Sequence, residues 1–92
     1  MIRSNANKGS IRIKGKELEV NYILQEPFSY VLKESADGDR WFLTIYKNGA
    51  GASWAYWEEM YEISKTDYDA FKDNPSYSFA MEIIKNYDPL TS

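Results

Sequence analysis

From Ser10 to Ile63 apolar side chains recur at every second position, the period of strands that turn one face to a core. Turn-forming residues divide this stretch. Gly15 marks a tight turn and Gln25-Glu26-Pro27 a three-residue connection, while Asp37-Gly38 and Asn48-Gly49 are pairs that favour two-residue type I′ hairpins. Residues 10–14 supply a first strand ahead of Gly15.

Each turn implies a register, and each register assigns faces. A hairpin centred on Asp37-Gly38 sets Tyr30 against Ile45, Leu32 against Leu43 and Glu34 against Trp41. One centred on Asn48-Gly49 sets Ile45 against Ala52, Leu43 against Trp54 and Trp41 against Tyr56. A loop at 25–27 sets Leu24 against Phe28, Tyr22 against Tyr30 and Val20 against Leu32. Together these predict a core face holding Leu18, Val20, Tyr22, Leu24, Phe28, Tyr30, Leu32, Trp41, Leu43, Ile45, Trp54 and Tyr56. The opposite face is more polar, yet it gathers Val31, Phe42, Tyr46 and Trp57. Glu58-Glu59 interrupts the alternation and predicts a bulge or bend before residues 60–63.

After Ile63 the period lengthens. Thr66 is a suitable N-cap, and Asp67 and Asp69 follow in the first turn, where carboxylates suit the helix dipole. This helix ends near Asn74. Asn74-Pro75 predicts a restart, with Asn capping and Pro at the first helical position. Phe79, Ala80, Ile83, Ile84 and Tyr87 form one apolar stripe, and Asp88-Pro89 stops the helix. The pattern predicts an α+β domain: an antiparallel four- to five-stranded β-meander, then two C-terminal helices on one face. Residues 1–92 form a single domain, with 1–9 a flexible arm or short edge segment.

Composition sharpens this. Aromatic residues make up 16% of the chain, as eight Tyr, four Phe and three Trp, more ring bulk than so small a core needs. There is no Cys and no His, which removes disulfides, Cys/His zinc sites, thiol nucleophiles and imidazole acid–base chemistry. No cofactor or metal site is expected. No signal peptide or membrane-length apolar run is visible, and a cytoplasmic location is the expectation. The net charge of −3 divides unevenly: residues 1–16 carry five bases and no acid, and the rest carries 6 bases and 14 acids. An acidic body disfavours nucleic acid and suits a basic protein partner.

Few groups suggest chemistry. Asp37-Gly38-Asp39 lacks the later ligands of a calcium loop, and Gly49-Ala50-Gly51 lacks the Lys and Ser/Thr of a phosphate cradle. Glu58, Glu59 and Glu62 are the densest carboxylates, and a cluster on a bend suits a basic partner better than catalysis. Phe42, Tyr46 and Trp57 are the candidate contact rings. Coverage by the arm, self-association in a homodimer and contact with a different protein are equally compatible with them.

Residues 41–87 resemble, in layout, small bacterial immunity proteins. The resemblance rests on Trp41-Phe42-Leu43-Thr44-Ile45-Tyr46, a Gly-rich turn, Met60-Tyr61-Glu62-Ile63, Ser64-Lys65-Thr66-Asp67-Tyr68-Asp69 and a closing helix. It implies a toxin-neutralising protein that acts by occlusion, without catalytic residues, through an acidic surface laid over a basic toxin domain. The alternative is a homodimeric accessory protein.

Overall fold

In the computed structural model, which describes residues 8–48 and 56–90, five strands precede two helices. They are β1 (Lys8–Ile13), β2 (Lys16–Glu26), β3 (Tyr30–Ser35), β4 (Trp41–Asn48), β5 (Tyr56–Ile63), α1 (Lys65–Asp73) and α2 (Tyr77–Ile84). Each strand pairs antiparallel with the next, in the order β1-β2-β3-β4-β5. This is the predicted α+β meander with C-terminal helices. Of the predicted arm, residues 1–7 lie outside the described residues, and Lys8 and Gly9 already belong to β1.

The first turn is the tightest. Lys14 (φ 51°) and Gly15 (φ 82°) are both left-handed between the paired Ile13 and Lys16, as a type I′ turn requires. The β3–β4 register is the predicted one, but its turn is longer. The Ser35 N–H donates to the Arg40 carbonyl at 2.8 Å, enclosing a four-residue loop in which Gly38 (φ 78°) takes the left-handed position. The buried Ser35 hydroxyl braces this loop. It accepts from the Asp39 and Arg40 N–H groups at 3.2 and 3.0 Å and donates to the Asp37 carboxylate at 2.6 Å. Centre and register coincide, so the longer loop leaves every face in place.

Two other registers differ from prediction. In β2–β3 the turn is 27–29 rather than 25–27, with the Ser29 N–H bonded to the Glu26 carbonyl at 3.0 Å and Phe28 left-handed at φ 61°. Pro27 explains the shift: its fixed φ suits the second turn position, not the last of a loop. Leu24 therefore pairs with Leu32, while Tyr22 pairs with Lys33, so a bulge sits at Ile23 between them. A single extra residue reverses the facing of everything before it. Leu18, Val20 and Tyr22, predicted to share a face with Leu43, are turned to the opposite one.

In β4–β5, Trp41 pairs with Ile63, not Tyr56, and Leu43 pairs with Tyr61. The described pairing reaches Asn48 and Tyr56, which excludes a two-residue turn at Asn48-Gly49. Residues 49–55, with the predicted Asn48-Gly49 turn and the partners Ala52 and Trp54, lie outside the described residues. The slip is odd, so each β5 side chain changes face. The predicted bulge at Glu58-Glu59 is absent, because β5 pairs without interruption from Tyr56 to Ile63. This register brings Tyr61 and Ile63 beneath the helices, which buries more apolar surface.

The capping residues also move. Ser64, extended and directly after β5, caps α1 by accepting the Asp67 N–H, in place of Thr66. Asn74 closes α1, its N–H bonded to the Phe71 carbonyl, and Ser76 caps α2 by accepting the Phe79 N–H. Tyr68, Phe71, Ala80, Ile83 and Ile84 face the sheet, where they bury Leu32, Leu43, Ile45, Tyr61 and Ile63. Tyr30 meets Phe71 edge-on with ring centres 5.1 Å apart.

A second core of Ile11, Val20 and Phe42 fills the other face. Ser10–Arg12 of β1 and Glu58–Met60 of β5 line one groove, although β1 and β5 in a flat sheet would stand roughly 19 Å apart. The sheet is thus strongly coiled, and the bulge at Ile23 supplies the bend. The tail after α2 returns to the sheet. The Tyr87 hydroxyl donates to Asp67 at 2.6 Å and accepts from the Ser64 N–H at 3.0 Å. Further on, the Leu90 N–H donates to the Met60 carbonyl at 2.7 Å, and the Leu90 side chain joins the second core.

Candidate functional site

The backbone of Tyr46 organises one end of the sheet. Its N–H donates to the Ser29 carbonyl at 3.1 Å, next to the Phe28 turn. Its carbonyl accepts the Tyr77 hydroxyl from the start of α2 at 3.1 Å. Its neighbour Lys47 is paired with Trp57 at the start of β5. Phe28, Trp57 and Tyr77 therefore converge here, and they are the large hydrophobic residues left exposed, at 76%, 48% and 39%, among the described residues.

Trp57 is held rather than loose. Its indole N–H donates to Glu59 at 3.1 Å, and the same carboxylate accepts from Lys47 at 2.9 Å and from the Tyr61 hydroxyl. The Tyr61 hydrogen bond, then those of Lys47 and Trp57, hold the Glu59 carboxyl down to about 2. Burial, then Glu59, pushes the Tyr61 phenol well above its ordinary range. The result is a fixed carboxylate beneath an exposed ring.

The six predicted contact residues are divided by the sheet. Phe42 is fully buried and is the centre of the second core, a correction that follows from the coiling of β1–β2 over its face. Trp57 and Glu59 lie on the helix side, so Trp57 does not share a patch with Phe42 and Tyr46. Tyr46, Glu58 and Glu62 take the other side. Glu62 is engaged by Arg40 through Nε at 2.9 Å and Nη2 at 2.8 Å, which holds its carboxyl below the usual range. The same guanidinium lies 5.5 Å from the centre of the Phe42 ring. Glu58 is exposed.

Phe28 and Tyr77 were not singled out from sequence. Phe28, expected on the core face opposite Leu24, is exposed instead, because the turn lies at 27–29 and takes it out of the ladder. Tyr77 carried no signal, because it reads as an ordinary first-turn residue. Among the described residues no three His, Cys, Asp or Glu gather as a metal site, and no helix is long and apolar enough to cross a membrane. What the end of the sheet offers is a set of aromatic rings on a rigid backbone, with Glu26 and Glu58 exposed in the flanking sequence. Set against known protein families, curated proteins and solved structures, the chain matches none.

Proposed function

We propose that this chain is a small acidic protein-binding domain that acts by occlusion, most concretely an immunity-type inhibitor that neutralises a cognate bacterial toxin in the cytoplasm. One observation carries the reading: exposed Phe28, Trp57 and Tyr77 converge on one end of the sheet, and Phe28 does so from a left-handed backbone. A left-handed conformation costs a non-glycine residue roughly 1–2 kcal/mol. Aromatic anchors with acidic neighbours are the composition of a contact centre for a basic partner.

The test is affinity capture from source cells with identification of the partner, followed by co-expression. A basic protein that is toxic alone and harmless with this chain supports the reading. A partner whose toxicity is unaffected overturns it. Trp57→Ala should then remove about 2 kcal/mol or more of association energy while changing stability by less than about 0.5 kcal/mol. Association should also slow as salt rises, and rates unchanged over a tenfold salt range argue against an acidic contact surface. Sedimentation of the isolated chain belongs beside these measurements. A dimer that Trp57→Ala dissociates replaces the inhibitor with a homodimeric accessory protein.

A further inference from the structure

The second face of the sheet holds a cation that the partner-binding reading does not use. Lys33 lies in the middle of β3 with only 9% of its surface exposed. Its ammonium donates to Thr44 Oγ1 at 3.3 Å, lies 4.0 Å from the Met60 sulfur, and sits 5.6 Å from the centre of the Tyr22 ring. The ion pairs formed among the described residues do not include Lys33. An ammonium carries three donors, and here one hydroxyl and a weak thioether acceptor serve them. Burying a cation without a paired anion is costly, and a hydrophobic residue of similar volume would serve a purely structural role as well. Burial lowers the Lys33 pKa, opposed by the charge of Glu58.

Lys33 also lines a groove of about 460 Å³ between β1 and β5. That is within the usual size of small-molecule sites. Ile11, Tyr22, Met60 and Leu90 give it apolar walls, and Arg12 contributes a second cation. Glu58 and Glu59 are also in the lining, Glu59 already paired with Lys47, so a multiply charged anion meets repulsion that a single carboxylate meets less.

We propose that this groove binds a small amphiphilic carboxylate. The carboxylate accepts from Lys33 Nζ, with Arg12 as a second cation, and the apolar tail lies along Ile11, Met60 and Leu90. Such a ligand gives Lys33 the direct ionic partner that Glu58, acting at a distance, does not, and covers the apolar walls at once. The groove lies on the sheet face opposite Trp57, with Glu58 and Glu59 of β5 bordering both sites.

Octanoate and octanol, titrated into the full chain and followed by methyl and lysine-ammonium NMR, test this. The expected result is saturable octanoate binding that is about tenfold or more tighter than octanol, the value of a charge-assisted hydrogen bond. It shifts the Ile11, Met60 and Leu90 methyls and the Lys33 ammonium. In Lys33→Met the preference for octanoate disappears while octanol still binds. If that variant does not fold, Arg12→Gln should weaken octanoate without weakening octanol. The proposal is overturned if octanoate does not saturate, if the shifts fall at Trp57 and Tyr77 instead, or if the folded Lys33→Met variant keeps the preference.

Discussion

The face carrying Leu43 and Tyr61 is covered by α1 and α2, whereas the face carrying Phe42 is covered by the sheet's own β1–β2 hairpin and the returning Leu90. The coverings differ in quality. Beneath the helices the buried groups are aromatic and aliphatic, with the phenols of Tyr61 and Tyr68 as the polar tips. Beneath the hairpin, Ser35, Thr44 and Lys33 are buried with the apolar residues, and a groove remains. Helices settle independently onto a sheet, each placing a stripe of side chains. A hairpin that is part of the same sheet reaches back only as far as strand coiling allows, and it leaves a seam. Polar chemistry collects at that seam.

The sharpest way to break this comparison is to delete Ile23. Without Ile23, Tyr22 and Leu24 pair with Lys33 and Leu32 in a regular ladder, so the faces are kept but the bend that carries β1–β2 over Phe42 is lost. The variant should lose cooperative unfolding, and near-native thermal behaviour would show that the second core does not depend on the bulge. Next in size, Phe42→Ala should cost about 3–5 kcal/mol and Leu43→Ala about 2–5 kcal/mol in urea denaturation, because both side chains are fully buried. A cheap Phe42→Ala beside an expensive Leu43→Ala would mean that only the helix-covered face is a core. Ser35→Ala should cost about 1–3 kcal/mol, since two N–H groups and the Asp37 carboxylate lose their partner.

The smallest effect concerns acid. Glu59 falls from an ordinary value of 4.5 to about 2 in the folded chain. A lowered folded pKa gives stability that is present above the unfolded value and lost as pH falls through the folded one. Stability should therefore decline between about pH 4.5 and 2, and Glu59→Gln should show a shallower decline in that window. Equal slopes in the two proteins would separate Glu59 from the acid response.

Much of the fold is legible in the chain. Residues 30–45 are read correctly because Asp37-Gly38 centres a short hairpin whose loop length does not alter the register. The helix stripe of Phe79, Ala80 and Ile83 is read for the same reason: a local period suffices. The errors that turn side chains to the wrong face are of one kind. A bulge at Ile23 and a β4–β5 register that sets Asn48 against Tyr56 each move a strand by an odd step, and alternation looks equally good in either register. The candidate site inherits those errors. Phe42 and Trp57 were grouped by a register that does not form, while Phe28 and Lys33 depend on a turn and a coiled sheet that no local pattern encodes.

The bond from the Leu90 N–H to the Met60 carbonyl bears on how the molecule behaves in a crowded solution. β5 is the last strand of the sheet, and its outer edge would otherwise present a ladder of donors and acceptors to any neighbouring strand. The tail occupies the middle of that ladder. Exposed Glu58 lies two residues before Met60, so a second copy approaching that edge meets a charge beside the tail. A feature that looks like a loose end returning to the sheet is thus a guard against fibrous growth.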